Sequence, residues 1–235
     1  MALKGCSAGV VLASSKTAAE ISALRAELDL DAWPAIVENG AGILPPHAGC
    51  VTRAADYAAL RAVLEGLPKN LRDCFLGFGD VTVDQLAAMT GLALPQAKLA
   101  QQRAFSEPGQ WRGSARQQEE FQGYLIAQGV TAQQGGRFLT LSFGGNKADQ
   151  LLKIVQSYRP HHTIALGDAP NDVQMLENVE FGVVVANPHR DALPLLKGEA
   201  EGRILRSTQA GPAGWNWAVL QLLDRLQLNE EQSHG

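Results

Sequence analysis

With 235 residues, 46% of them hydrophobic, and a formal net charge of −4, the chain is long enough to bury one large core, or a core with a smaller inserted domain. The slightly acidic balance supplies no basic field for nucleic acid or an anionic membrane, so small molecules are the expected partners. No apolar run approaches the roughly 20 residues of a membrane span, and the opening MALKGCSAGVVLASS lacks the apolar length of a signal peptide. Cys6, Cys50 and Cys74 form neither a metal-ligand pattern nor a disulfide framework, which suits a reducing, cytoplasmic setting.

In chain order, AGVVLA at 8–13 reads as a buried strand that ends in Ser14-Ser15-Lys16-Thr17 and feeds the helical pattern AAEISALRAEL. The short run AIV at 35–37 is closed by Glu38-Asn39-Gly40, whose Asn-Gly pair suits a tight turn with positive φ. From there to about Thr140 the pattern changes: helices are expected near 56–66, 83–90 and 115–128, with alternating segments such as RFLTLSF. Pro45-Pro46 marks the way out of the first domain and Gly144-Gly145 the way back. The chain then returns to apolar strands, HHTIALGD at 161–168 and FGVVVAN at 181–187, with NDVQMLENV as the helix between them. Strands apolar on both faces and alternating with helices predict an α/β fold with a doubly wound parallel sheet. The expected division is a core of residues 1–44 and 141–235 with an inserted α+β cap of 45–140, and NEEQSHG as a frayed tail.

Three places carry chemistry. Gly167-Asp168-Ala169-Pro170-Asn171-Asp172 follows a buried strand and opens a helix. Ligands of an open parallel sheet bind beyond the carboxyl ends of its strands, so Asp168 and Asp172 face that crevice, where a pair of acids suits an oxygen-seeking cation that keeps several waters, namely Mg²⁺. The competing reading is that both acids only cap a helix N-terminus. Ser14, with Ser15 and Lys16, ends another strand; a hydroxyl, backbone N–H groups and a cation there suit a phosphoryl oxygen, or else Ser14 is an ordinary helix cap. Lys147 opens the helix ADQLLKIV, where a cation opposes the helix dipole unless an anion sits in front of it.

In this order, these pieces resemble the second, third and fourth motifs of the haloacid dehalogenase superfamily. ENGA at 38–41, placed before an insertion, is similar to the branch with the larger cap. ASSKTAAEI, the segment Arg103-Ala-Phe-Ser-Glu-Pro, GGRF at 135–138, GGNKADQ and the late GPAGW at 211–215 resemble mannosyl-3-phosphoglycerate phosphatases. The resemblance implies Mg²⁺-dependent hydrolysis of a phosphorylated sugar-glycerate to mannosylglycerate and phosphate. It implies metal ligation by Asp168 and Asp172, with Lys147 and Ser14 as catalytic groups and Ser15, Lys16 and Asn171 around the phosphate. Arg103 and Arg137 would meet the glycerate carboxylate, which a guanidinium matches bidentately. Trp111, Trp215 and Trp217 are candidates to stack on a sugar, against a default of core packing. The superfamily's first motif, a DxD whose first Asp is the nucleophile, does not occur before Ser14, and Asp29-Leu30-Asp31 reads as a loop. By this comparison the chain begins in the helix ahead of the Ser14 strand, and the residues present cannot supply the attacking carboxylate. Two further readings stay open: another sugar-phosphate phosphatase of the superfamily, and a catalytically silent ligand-binding homologue.

Overall fold

A computed structural model describes residues 2–49 and 55–226, which form two compact units, Met1–Val10 with Lys147–Gly235 and Val11–Asn146. Cys50 and the polar tail lie outside the described residues. No helix among the described residues is long and apolar enough to cross a membrane. A short helix α1, Ala2–Gly5, precedes the second unit.

That unit opens with strand β1, Leu12–Ala13, and helix α2, Ala18–Leu28. Strands β2, Ala35–Val37, and β3, Gly42–Leu44, follow. They form a three-stranded sheet in the order β1-β2-β3, with β1 parallel to β2 and β3 antiparallel. Only two residues of AGVVLA enter the ladder, and they are half-buried rather than buried. Among the described residues β1 ends its sheet, with a ladder partner on one side. β2, paired on both sides, is fully buried along its length.

The same unit continues through helices α3, Ala55–Glu65, and α4, Lys69–Arg72, strand β4, Phe75–Gly77, and helices α5, Val83–Thr90, and α6, Leu94–Ala100. Strand β5, Ser106–Trp111, helix α7, Ala115–Ala127, and strands β6, Thr131–Gly135, and β7, Phe138–Ser142, complete it. The strands make an antiparallel sheet in the order β4-β5-β7-β6. Leu60, Leu64, Leu71, Phe75, Phe121, Leu125, Leu139 and Leu141 form one core between this sheet and α3, α4 and α7. Each such side chain contributes about 1.5–3 kcal/mol when fully buried. Helices α2, α5 and α7 begin with the same device: Thr17 with Glu20, Thr82 with Gln85 and Ser114 with Gln117 exchange hydrogen bonds as capping boxes.

The other unit holds α8, Lys147–Tyr158, β8, Ile164–Gly167, a 3-10 turn at Pro170–Asp172, and α9, Val173–Glu177. It ends with β9, Phe181–Ala186, β10, Ile204–Ala210, and α10, Gly211–Arg225. Its sheet is parallel throughout, in the order β10-β9-β8. Phe181, Val183, Ala218 and Leu222 carry the core between sheet and α10, and α10 buries Gly214, Ala218, Val219, Leu222 and Leu223, one face of a 3.6-residue period. The expected α/β architecture is present, but the parallel strands are divided between two sheets, with β1 and β8 each at the end of its own.

Candidate functional site

In the unit that begins at Lys147, the loop after β8 is built around Asp172. This carboxylate is 4% exposed. Its Oδ2 accepts the backbone N–H groups of Asp168 and Ala169, each at 3.1 Å, while Oδ1 accepts from Lys147 Nζ at 2.6 Å. A Cβ on Gly167 would overlap the Asp172 side chain, so glycine is required for the loop to fold back on its own acid. Lys147 is itself buried. The anion that its place at a helix start calls for is Asp172, reached from the adjacent helix start.

Asp168, one residue beyond β8, is half-buried at the carboxyl end of the parallel sheet. Its Oδ2 accepts from Asn187 Nδ2 at 2.6 Å, and Asn187 stands one residue beyond the neighbouring strand β9. An open cleft of about 400 Å³ adjoins them, lined by Asp168, Asn187, Arg190, Arg206, Ser207 and Thr208 among others. Asn171 is exposed on the same loop. Among the described residues no group of three or more His, Cys, Asp and Glu side chains is arranged to hold a metal ion. The donors present are hard carboxylate oxygens, few in number, at a strand end. Such a set fits Mg²⁺, which takes one or two protein carboxylates and fills its remaining positions with water and phosphate oxygens.

In the other unit, Ser14 follows β1. Its N–H donates to Ile36 O at 2.9 Å, its carbonyl accepts from Asn39 N–H at 2.9 Å, and its Oγ accepts from Lys16 N–H at 3.2 Å. Helix α2 is capped by Thr17, not by Ser14 or Ser15, so neither serine is used as the helix cap. Ser15 and Lys16 are exposed, and Lys16 Nζ pairs with Glu20 at 2.8 Å. The turn after β2 carries three successive positive φ values, 52° at Glu38, 59° at Asn39 and 93° at Gly40, one more than Asn-Gly alone leads one to expect.

The buried Glu38 carboxylate explains that turn. It accepts from Ala104 N–H at 2.8 Å, Phe105 N–H at 3.2 Å and Ser106 Oγ at 2.7 Å, and pairs with Arg103 Nη2 at 3.2 Å. Arg103 also donates to Ser106 Oγ at 2.6 Å. Read from the sequence as an anion contact, Arg103 is 6% exposed and its guanidinium is committed to this cluster. Arg137 is exposed; its Nη2 donates to Thr90 O at 2.9 Å and its guanidinium lies over the Phe138 ring. Trp111 packs on Phe121 at the edge of the core, with ring centroids 4.8 Å apart, so core packing prevails there, whereas Trp215 and Trp217 stay partly exposed on α10.

The geometry therefore defines an α/β protein with polar and acidic side chains gathered beyond the carboxyl ends of parallel strands. Residues 112–198, which include Lys147, Asp168, Asp172 and Asn187, match the family of haloacid dehalogenase-like hydrolases. Solved structures share the fold over nearly the whole chain. One protein from Geobacillus kaustophilus is 18% identical, with a TM-score of 0.65 over 97% of this chain and 88% of that one. A phosphatase of the haloalkanoate enzyme superfamily from Bacteroides thetaiotaomicron is 16% identical, with a TM-score of 0.59 over 97% and 86%. A sugar phosphatase of subclass IIB is 12% identical, with a TM-score of 0.53 over 97% and 90%. The chain has the haloacid dehalogenase-like fold.

Proposed function

We propose that the chain belongs to a Mg²⁺-dependent phosphomonoester phosphatase, with mannosyl-3-phosphoglycerate as substrate. The observation that carries the reading is the buried Lys147–Asp172 pair behind the Asp168 loop, beyond the carboxyl end of a parallel strand. Phosphoryl transfer asks chiefly for prearranged charge, and this arrangement supplies it. Asp168 is the carboxylate that would hold Mg²⁺, which when bound would supply charge neutralisation at the phosphate. Asp172 supports from behind, fixing the Lys147 ammonium and the backbone of residues 168 and 169. One of the three Lys147 donors is used on Asp172, and the others serve the phosphoryl oxygens. Ser14 donates to a phosphoryl oxygen, with Ser15, Lys16 and Asn171 around it. For the glycerate carboxylate, Arg137 is the exposed guanidinium, while Arg103 acts through the Glu38 cluster.

The attacking carboxylate would come from a strand ending in DxD. No DxD precedes Ser14 in the sequence. The test compares the 235-residue chain with one extended upstream by a strand ending in DxD, measuring Mg²⁺-dependent phosphate release over a panel of sugar phosphates. The extended chain is expected to turn over, with mannosyl-3-phosphoglycerate preferred, and to lose activity on Asp168→Ala or Lys147→Ala. Preference for another sugar phosphate would replace the substrate and keep the chemistry. Robust turnover by the shorter chain would overturn the proposal, since another residue would then be the nucleophile. Ligand binding without turnover by either chain would establish the silent binding protein that the missing DxD also favours.

A further inference from the structure

One hydrogen bond at the site belongs to no motif read from the sequence. Asn187 Nδ2 donates to Asp168 Oδ2 at 2.6 Å, while Oδ1 of the same amide accepts from His189 N–H at 2.9 Å. A primary amide has one acceptor atom and one donor atom, so the turn formed with His189 determines which end faces Asp168. The amide cannot flip without losing both contacts.

The backbone that carries Asn187 is braced in turn. β9 and β10 lose register between Arg206 and Ala210. Within that irregularity the buried Ser207 Oγ accepts from Ala186 N–H at 2.9 Å and donates to Gln209 O at 2.7 Å. The hydroxyl thus satisfies the last N–H of β9, next to Asn187. A Cβ on Gly214 would overlap Gln209 O and crowd Ser207 Oγ, so α10 can seat on this bulge only through a glycine. That glycine is the last one of the GPAGW segment. Its place in the fold accounts for it without any contact to a ligand.

We infer that Asn187 is the positioning residue for Asp168. It holds Oδ2, leaves the second oxygen to take the cation, and is itself held in place by Ser207 and the close seat of α10 at Gly214. The inference rests on the metal-site reading above. A neutral amide suits the task because it donates to an ionised carboxylate without adding a charge that competes with the cation. Loss of such a supporting partner typically weakens metal affinity about 10–100-fold.

The probe is Mn²⁺ alone, titrated into the protein and followed by electron paramagnetic resonance, with the metal-free melting temperature recorded for every variant. N187A is expected to weaken Mn²⁺ binding about 10–100-fold. N187S keeps an acceptor for His189 N–H but is too short to reach Asp168, so it should fold as the parent does and show the same loss. S207A should weaken binding by a smaller factor, and D168A should abolish it. If D168A abolishes binding while N187S binds as tightly as the parent, the positioning role is refuted and the metal-site reading stands. If the parent binds no Mn²⁺, or D168A binds as the parent does, the metal-site reading fails and takes this inference with it.

Discussion

Removing either partner of the Lys147–Asp172 pair should not cost the same, and the structure sets the order. Lys147→Met keeps the volume of the aliphatic stem and removes one donor; the Asp172 carboxylate still accepts two backbone N–H groups. The carboxylate is charged and loses its buried cation, but two N–H donors still hold it, so the cost lies near the upper end of about 1–3 kcal/mol. Asp172→Ala removes the acceptor for all three donors at once, leaving a buried ammonium and the N–H groups of Asp168 and Ala169 unpaired. Breaking a buried pair in that way costs about 3–5 kcal/mol. Against a domain stability of about 5–15 kcal/mol, the second change is severe and the first tolerable. Urea unfolding of both variants, followed by tryptophan emission with Trp215 and Trp217 reporting from α10 of the same unit, should place the Asp172→Ala midpoint well below that of Lys147→Met at similar slope. Equal losses, or a larger loss for Lys147→Met, would refute the view that Asp172 organises the loop.

Two further outcomes follow from particular contacts. Gly167→Ala should destabilise by about 1–3 kcal/mol, the usual cost of overpacking, because its Cβ would overlap the Asp172 side chain; thermal unfolding measures this, and Mn²⁺ affinity should fall with it. In the other unit, burial alone would push the Asp80 carboxyl up, but hydrogen bonds from Arg72 and Arg61 hold it below its ordinary 3.8. The folded state then holds fewer protons than the unfolded one, so this contribution is present above pH 3.8 and is lost as pH falls through the folded value. Melting temperatures across that range should show the parent's advantage over Asp80→Asn shrinking on acidification, and a constant gap would contradict the assignment.

What could be read from sequence was whatever depends on near neighbours. The helices at Val83–Thr90 and Ala115–Ala127 lie where their periodicity puts them. The run AIV is a buried strand, and Asp168 ends a parallel strand as the apolar IAL before it implied. Residues 8–11 stay outside β1 because a strand's extent depends on having partners, and β1 has one. β10 was not anticipated: ILRSTQA has polar and charged residues where FGVVVA is apolar, since β10 ends its sheet and its second half is exposed. The pairing of Arg103 with Glu38 was not legible, because the two lie far apart in sequence and no local pattern announces such a pair. Asn187 was within reach. It ends a buried parallel strand by the same logic that singled out Asp168, but a neutral amide before a proline reads as a loop residue unless that rule is applied to every strand.

The Glu38 cluster also bears on how freely the intervening segment can change. Its hydrogen bonds to residues 104–106 join positions 66 to 68 apart in sequence. They pin both ends of the intervening stretch to one buried carboxylate. The entropy of closing a loop rises only logarithmically, so doubling its length costs about 0.6 kcal/mol. Changes of length in the surface turns between those ends are therefore cheap in closure entropy while the clasp persists, whereas buried positions of the segment such as Leu60 and Phe75 stay fixed by packing. Glu38 is thus a single buried residue through which local changes at either end of a long segment would be felt at the other.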